Sequence, residues 1–366
     1  MEIKVRRKEF IQSLALGSSF AGKNKVLPAL DYVKFNVKDC DIKLSSNDGE
    51  IAINTMYRSA VTEYDGEFFA DPKLILSALK TLKDEEVSLC IVDEKTMEIK
   101  HKKGKFSIPL GDVDEYPTPK MDENVVKAEV LSEMLFKWIK EARQFVASDE
   151  LRPIMNGILL YYKDGEFGVC ASDGHKLYTD YTKCVFEFGD VDAVLSDKAI
   201  SALLDTINGT QSTKIYFGDR NIAFKAGDTS IMCRKIEGRY PNFKGVIPSS
   251  HTIECECNKE EFQESLTRVL TMANAASLVK MQLNGLECKL VAEDFDFSRK
   301  SEDLFPISSL NDNITIGFKG IFMKNCLDTI SSDCVLLEMT DSSRAIVMKD
   351  KENMNKTLLL MPMFLG

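Results

Sequence analysis

The feature that most constrains this chain is repetition: one unit of about 125 residues recurs three times in a sequence of 366, a period far longer than the ~20–50 residues of solenoid repeats. Each unit opens on a short segment of alternating polarity, carried by Ile3 and Val5, by Val126, Ala128 and Val130, and by Ile253, Cys255 and Cys257. Such alternation marks a half-buried strand. A helix is expected next in each: KEFIQSLAL from Lys8, SEMLFKWIKEARQF from Ser132 and KEEFQESLTRVLTM from Lys259. Phe10, Leu135 and Phe262 stand at matching positions, with acidic residues shortly ahead of them that suit a helix N-terminus.

A second helix recurs as DPKLILSALKTL at Asp71, SDKAISALLDTI at Ser196 and FKGIFMKNCLDTI at Phe318. Their endings, Lys80-Thr81-Leu82, Asp205-Thr206-Ile207 and Asp328-Thr329-Ile330, fall in register. Between the helices, VKFNVKDCDIKL, GILLYYKDGEFGV and LNGLECKLVA read as hairpin strands, with Asp48-Gly49 and Asp173-Gly174 as corresponding turns. More strands follow the second helix, including VSLCIV, TKIYFG and CVLLEM. Tyr116-Pro117 and Tyr240-Pro241 close the first two units in stretches suited to linkers. The expected class is α+β: three repeated domains, residues 1–121, 122–247 and 248–366, each with two helices on antiparallel strands.

The formal charge of −10 weighs against nucleic acid, because duplex binding rests on Lys and Arg neutralising phosphates. Placement matters more than the sum. Taken over Lys8 to Leu16, Ser132 to Phe145, Lys259 to Met272, Pro72 to Lys83, Asp197 to Ile207 and Lys319 to Thr329, the helical segments together carry +3, against −13 for the remainder. The opening MEIKVRRKEF lacks the apolar stretch of a signal peptide, and no apolar run approaches the ~18 residues needed to cross a bilayer, so a soluble, cytoplasmic protein is expected. The ten cysteines are scattered, several in the apolar slots of alternating strands, and read as reduced core thiols.

Four motifs then become specific: LRPIMNGILL at Leu151, ASDGHKLY at Ala171, EGRYPNFKGVIP at Glu237 and LLLMPM at Leu358. Together, and in this order on three repeats, they resemble the DNA polymerase III beta subunit, the bacterial-type DNA sliding clamp, over the whole length. The resemblance implies a head-to-tail homodimer whose six clamp-fold domains close a ring around double-stranded DNA, with helices lining the hole. It further implies a processivity role: tethering the replicative DNA polymerase, and docking the clamp loader and repair proteins through short peptide motifs.

Lys23, Lys25, Lys73, Lys80, Lys83, Lys137, Lys140, Arg143, Arg152, Lys198 and Lys324 are the candidates for facing DNA. Phosphate contact without base readout is independent of sequence, as sliding requires. Matching the family's peptide cleft motif by motif implicates Met155, Ser172, Gly174, His175, Lys176, Leu177, Pro241, Val246, Leu359, Leu360, Met361, Pro362 and Met363. Met-rich apolar walls suit a surface that accepts several peptides. Gly245 stands where many members carry Arg, and the chain ends Phe364-Leu365-Gly366 where Arg-Leu is frequent, so the cleft's rim charge does not carry over from the family. For the dimer contact, the basic run holding Lys102, Lys103 and Lys105 is set against Glu302 and Asp303, with Leu74, Ile75, Met272 and Leu278 as apolar candidates.

Two other functions compete. An enzyme is disfavoured because none of the three histidines, His101, His175 and His251, stands in a catalytic motif, and Asp173 beside His175 reads as a structural turn residue. Cys255-x-Cys257 lacks the companion pair of a zinc site, so no metal or other cofactor is expected. A non-DNA scaffold would share the repeats and the cleft without retention on DNA.

Overall fold

The computed structural model describes every residue except Ser59, Glu63, Asp84, Asp114, Glu115, Leu310, Asn311, Asp312 and Gly366. Among the described residues six α-helices stand where the repeats require them: α1 (Arg7–Gly17), α2 (Pro72–Thr81), α3 (Ser132–Ala142), α4 (Asp197–Ile207), α5 (Lys259–Leu270) and α6 (Gly320–Thr329). Their starts follow local chemistry. Asp71 caps α2 by accepting from the Lys73 amide at 2.8 Å, ahead of Pro72, and Asn258 caps α5 through the Glu261 amide at 3.0 Å. Apolar residues three and four apart give each helix its inward stripe: Phe10 and Leu14 in α1, Ile75 and Leu79 in α2, Phe262, Leu266 and Val269 in α5. Some boundaries differ from the sequence reading. The third helix passes into a 3-10 turn at Arg143–Phe145, and the segment Ile314–Lys319 is a strand, so α6 begins only at Gly320.

The chain packs as two compact units. One comprises Met1–Phe136 and Ser201–Lys235, the other Lys137–Ile200 and Ile236–Gly366. The first holds a five-stranded sheet that runs from Val61–Thr62 through Glu2–Arg6, Glu86–Asp93 and Thr96–His101 to the edge strand Gly104–Pro109. It also holds an eight-stranded sheet in which Thr229–Arg234, from the second repeat, pairs antiparallel with Ile51–Tyr57, from the first. Ile231 lies opposite Ile53 there, and the Thr55 and Thr229 hydroxyls meet at 2.8 Å in the interior.

The second unit has one twelve-stranded sheet. Strands Glu166–Ser172 and Lys176–Lys183, from the second repeat, continue through Asn353–Leu360 into the third. All these pairings are antiparallel, and the hairpins expected from sequence are present, with tight turns at Asp39-Cys40 and Asp164-Gly165 in positive φ. The ten cysteines are free, and most are buried. Cys255 and Cys257 share the inner face of one strand, and burial pushes the Cys255 thiol up to about 12. Among the described residues no helix is long and apolar enough to cross a membrane.

Candidate functional site

In the second unit a tight turn meets the last long strand of the chain. Asp173 Oδ1 accepts from the amides of His175 and Lys176, both at 2.8 Å, while Gly174 takes φ +89°, which favours glycine. Ser172 Oγ donates to the Lys176 carbonyl at 2.9 Å and accepts from the Gly174 amide at 3.1 Å. Asp173 is therefore a turn builder, its oxygen committed to backbone. The strand that leaves this turn, Lys176–Lys183, pairs with Asn353–Leu360 so that Leu177 faces Leu359, and the Met361 amide donates to the His175 carbonyl at 2.7 Å.

The segment after Gly238 folds across this junction. Gly238 has φ +127° and lies against Ile154, and Tyr240 then buries its ring with Leu159, Tyr161, Cys170, Leu177 and Leu359. Phe243 packs on the Tyr161 ring at 5.5 Å. The result is a cleft of about 720 Å³ with an apolar floor and polar rim. Its size falls in the range of ligand sites, ~300–1,000 Å³.

Met155, Ser172, Gly174, His175, Lys176, Leu177, Pro241, Val246, Leu359 and Met361 line this cleft together. Leu360, Pro362 and Met363 do not. Leu360 follows Leu359 on a strand, so its side chain turns to the opposite face and is fully buried, and Met363 is bound through its amide to the Gly317 carbonyl at 2.7 Å. Arg152, a DNA candidate from sequence, lines the cleft and pairs with Asp149 at 2.7 Å. Tyr240, Phe243, Ile247 and the loop Ser343–Ala345 also line it, although the sequence reading does not include them. The loop residues have no periodic signal, whereas Tyr240 and Phe243 lie inside the motif EGRYPNFKGVIP and could have been found there.

The other candidates fall as follows. Lys23, Lys25, Lys73, Lys80, Lys83, Lys137, Lys140, Arg143 and Lys324 are exposed, whereas Lys198 is half-buried. Arg143 pairs with Asp197 at 2.7 Å, Lys137 donates to Ser331 Oγ at 2.9 Å, and Lys23 lies 4.6 Å over the Phe20 ring. Of the dimer candidates, Lys102, Lys103, Lys105, Leu74 and Met272 are exposed, and Leu278 is half-buried. Ile75 is fully buried in its own unit's core, on the inner stripe of α2, and cannot supply an intersubunit contact as expected. Glu302 and Asp303, the acidic candidates set against the basic run, already have partners in the chain: Lys289 at 2.8 Å, and Arg268.

Comparison with known proteins decides the family. Models of the DNA polymerase III beta subunit match end to end: its N-terminal domain over residues 1–121, its central domain over 129–242 and its C-terminal domain over 244–364. The chain belongs to the DNA polymerase III beta subunit family. Its six helices on antiparallel sheets are those of three beta-clamp domains, and its role is that of the family's processivity factor, a sliding clamp without catalysis of its own. Among its relatives is the beta sliding clamp of Rickettsia felis, 26% identical, the match covering 99% of each chain. That of Staphylococcus epidermidis is 23% identical, again over 99% of each. Of solved structures, the DNA polymerase III subunit beta from Pseudomonas aeruginosa superposes with a TM-score of 0.93 at 19% identity, and that from Thermotoga maritima with 0.88 at 20%, each covering 100% of both chains.

Proposed function

We propose that the chain, divided into domains at 1–121, 122–247 and 248–366, pairs head-to-tail with a second copy to close a ring on duplex DNA in the cytoplasm. The exposed lysines of its helices hold the duplex by phosphate contact alone. Its cleft receives short apolar peptide segments of the replicative polymerase, the clamp loader and repair proteins. The observation that carries the peptide reading is the cleft itself, an apolar floor built on Leu177 and Leu359 across one strand pair, roofed by Tyr240 and Phe243 and rimmed by polar groups. Such a site suits an extended segment with bulky apolar anchors.

The test is retention on DNA. Loaded by a compatible loader, the protein should stay on closed circular duplex through gel filtration and be lost once the circle is linearised. A protein that dissociates equally from both forms is not acting as a topological clamp.

A further inference from the structure

Like charges directly opposite each other on paired strands destabilise a sheet, and among the described residues three such pairs occur. Two are compensated. Lys100 and Lys105 share Glu98, at 4.0 and 2.5 Å, and the His251 ring meets both Glu254 and Glu338, at 3.1 and 3.8 Å. The third is not. Lys214, on the strand Ser212–Phe217, faces Lys225, on Asn221–Ala226, and neither has an ion-pair partner among the described residues. Glu129 stands across from Lys214 on the strand Val126–Leu131, but its Oε1 accepts from the Ser212 hydroxyl at 2.8 Å and it forms no ion pair with Lys214.

The pair sits on the solvent side of the eight-stranded sheet, wholly within the first unit. Alternation turns Lys127 and Glu129, Lys214 and Tyr216, and Ala223 and Lys225 outward on three adjacent strands, so that three lysines meet one carboxylate there. Tyr216 lies opposite Ala223, and Ala223 opposite Met232 on the next strand, Thr229–Arg234. All three are half-buried and form a shallow apolar step across the sheet beside the lysine pair. Farther along the same sheet Lys34 is paired, with Glu67 at 2.8 Å. In a chain of 57 acidic and 47 basic residues the net positive charge of this face is no shortage of carboxylates.

We propose that this sheet face, remote in sequence from the cleft motifs, docks an extended acidic segment of a partner protein. A carboxylate is held between Lys214 and Lys225, and an apolar side chain two residues away rests on Tyr216, Ala223 and Met232. The spacing matches: same-side residues of an extended chain repeat every ~6.4–6.8 Å, which is also the step from Lys214 to Tyr216 along their strand. A carboxylate between the two ammonium groups replaces their repulsion with charge-assisted hydrogen bonds. Nucleic acid fits less well. Three lysines neutralise at most about three phosphates, too few for firm binding at physiological salt, and one exposed ring, Tyr216, does not make the run of stacking platforms that a single strand uses.

Met232 reports on this face directly. In methyl-TROSY spectra of the full-length protein labelled at its methionine methyls, the peptide Glu-Ser-Leu-Ser-Glu-Ser-Leu-Ser should shift the Met232 signal, identified with Met232→Leu. The twin with Gln in place of Glu should need about five- to tenfold more peptide for the same shift. Lys214→Gln with Lys225→Gln should erase this difference, and Lys214→Glu with Lys225→Glu should transfer the preference to a twin with Lys in place of Glu. The charge premise has a test without ligand: Lys225→Glu turns a repelling pair into an attracting one and should raise Tm by about 1–4 °C. An unchanged or lower Tm overturns that premise. No shift at Met232, equal shifts with the Glu and Gln peptides, or movement of Met155 and Met361 in its place overturns the docking of an acidic segment. So does an octathymidylate that shifts Met232 at lower concentration than the Glu peptide, which would make the face a nucleic-acid surface.

Discussion

Asp180 shows how a single residue can link the fold to pH. It is buried on the strand Lys176–Lys183, and Asn353 Nδ2 donates to its Oδ2 at 2.8 Å. Burial pushes its carboxyl up to about 6, against the pull of the Asn353 amide and the Lys356 ammonium. A raised carboxyl means that the folded state holds its proton more tightly than the unfolded chain does. The stability it contributes is therefore full below about pH 4 and is lost as pH rises through about 6. Nearby Asp350 is held low despite its burial by the Ser331 amide and a Ser332 hydrogen bond, so its contribution is already constant across that window. Urea unfolding followed by the fluorescence of Trp138, the single tryptophan, should thus show stability falling by on the order of 1–3 kcal/mol as pH passes from about 4 to above 6. Asp180→Asn should flatten this slope. A slope unchanged in the variant would place its origin elsewhere.

At the scale of the element, alternation along the last strand separates two neighbouring leucines that belong to one sequence motif. Leu359 faces the cleft and Leu360 the core behind it, while Met361, past the strand end, is 40% exposed at the cleft wall. Leu360→Ala should cost about 2–5 kcal/mol of stability and leave peptide affinity within about twofold. Met361→Ala should do the reverse, weakening a cleft-binding peptide about three- to tenfold with little change in Tm. Calorimetry and anisotropy on the two variants distinguish these outcomes, and matching effects would contradict the facing assigned here.

The repeats, the helices and the hairpin turns are legible in the sequence because each leaves a local signal: a cap such as Asp71, a stripe such as Phe10 and Leu14, a turn such as Asp173-Gly174. The pairing of Thr229–Arg234 with Ile51–Tyr57 is not, since nothing in either strand names its distant partner. The site is legible wherever a motif is compact. It is misread at Leu360, inside an apolar run that only the period-two rule sorts into two faces, and at Ile75, an apolar residue whose place on the inner stripe of a helix rules out the exterior. The helix lysines carry an element-scale prediction of their own. Replacing the exposed Lys73, Lys80 and Lys137 together with Ala should lower the dependence of DNA binding on salt, by about one unit of logarithmic slope for each phosphate no longer neutralised. An unchanged slope in filter binding would remove these residues from the DNA surface.

For the whole molecule, the proposed dimer contact rests on two open sheet edges. Gly104–Pro109 ends the five-stranded sheet, with no strand beyond it among the described residues. On Arg299–Ser309, the stretch Arg299–Pro306 bonds to Glu287–Asp294 on one side, whereas Ile253–Asn258 reaches only as far as Ile307 on the other. Open edges invite a further strand, and two different edges on one chain would meet as a heterologous contact in the proposed dimer. Lys102, Lys103 and Lys105 stand at one edge, Glu302 and Asp303 at the other. Exposed pairs contribute only ~0–1 kcal/mol each, so backbone pairing and apolar contact must supply most of the affinity. Leu304, 55% exposed on the second edge, is better placed for this than Ile75. Reversing Lys102, Lys103 and Lys105 to Glu should weaken dimerisation about tenfold or more. Adding Glu302→Lys should restore only part of it, because that change also sets a cation against Lys289, the residue that pairs with Glu302 within the chain at 2.8 Å. Sedimentation equilibrium at modest salt measures both effects, and a wild-type protein that stays monomeric at micromolar concentration would sink the closed dimer altogether.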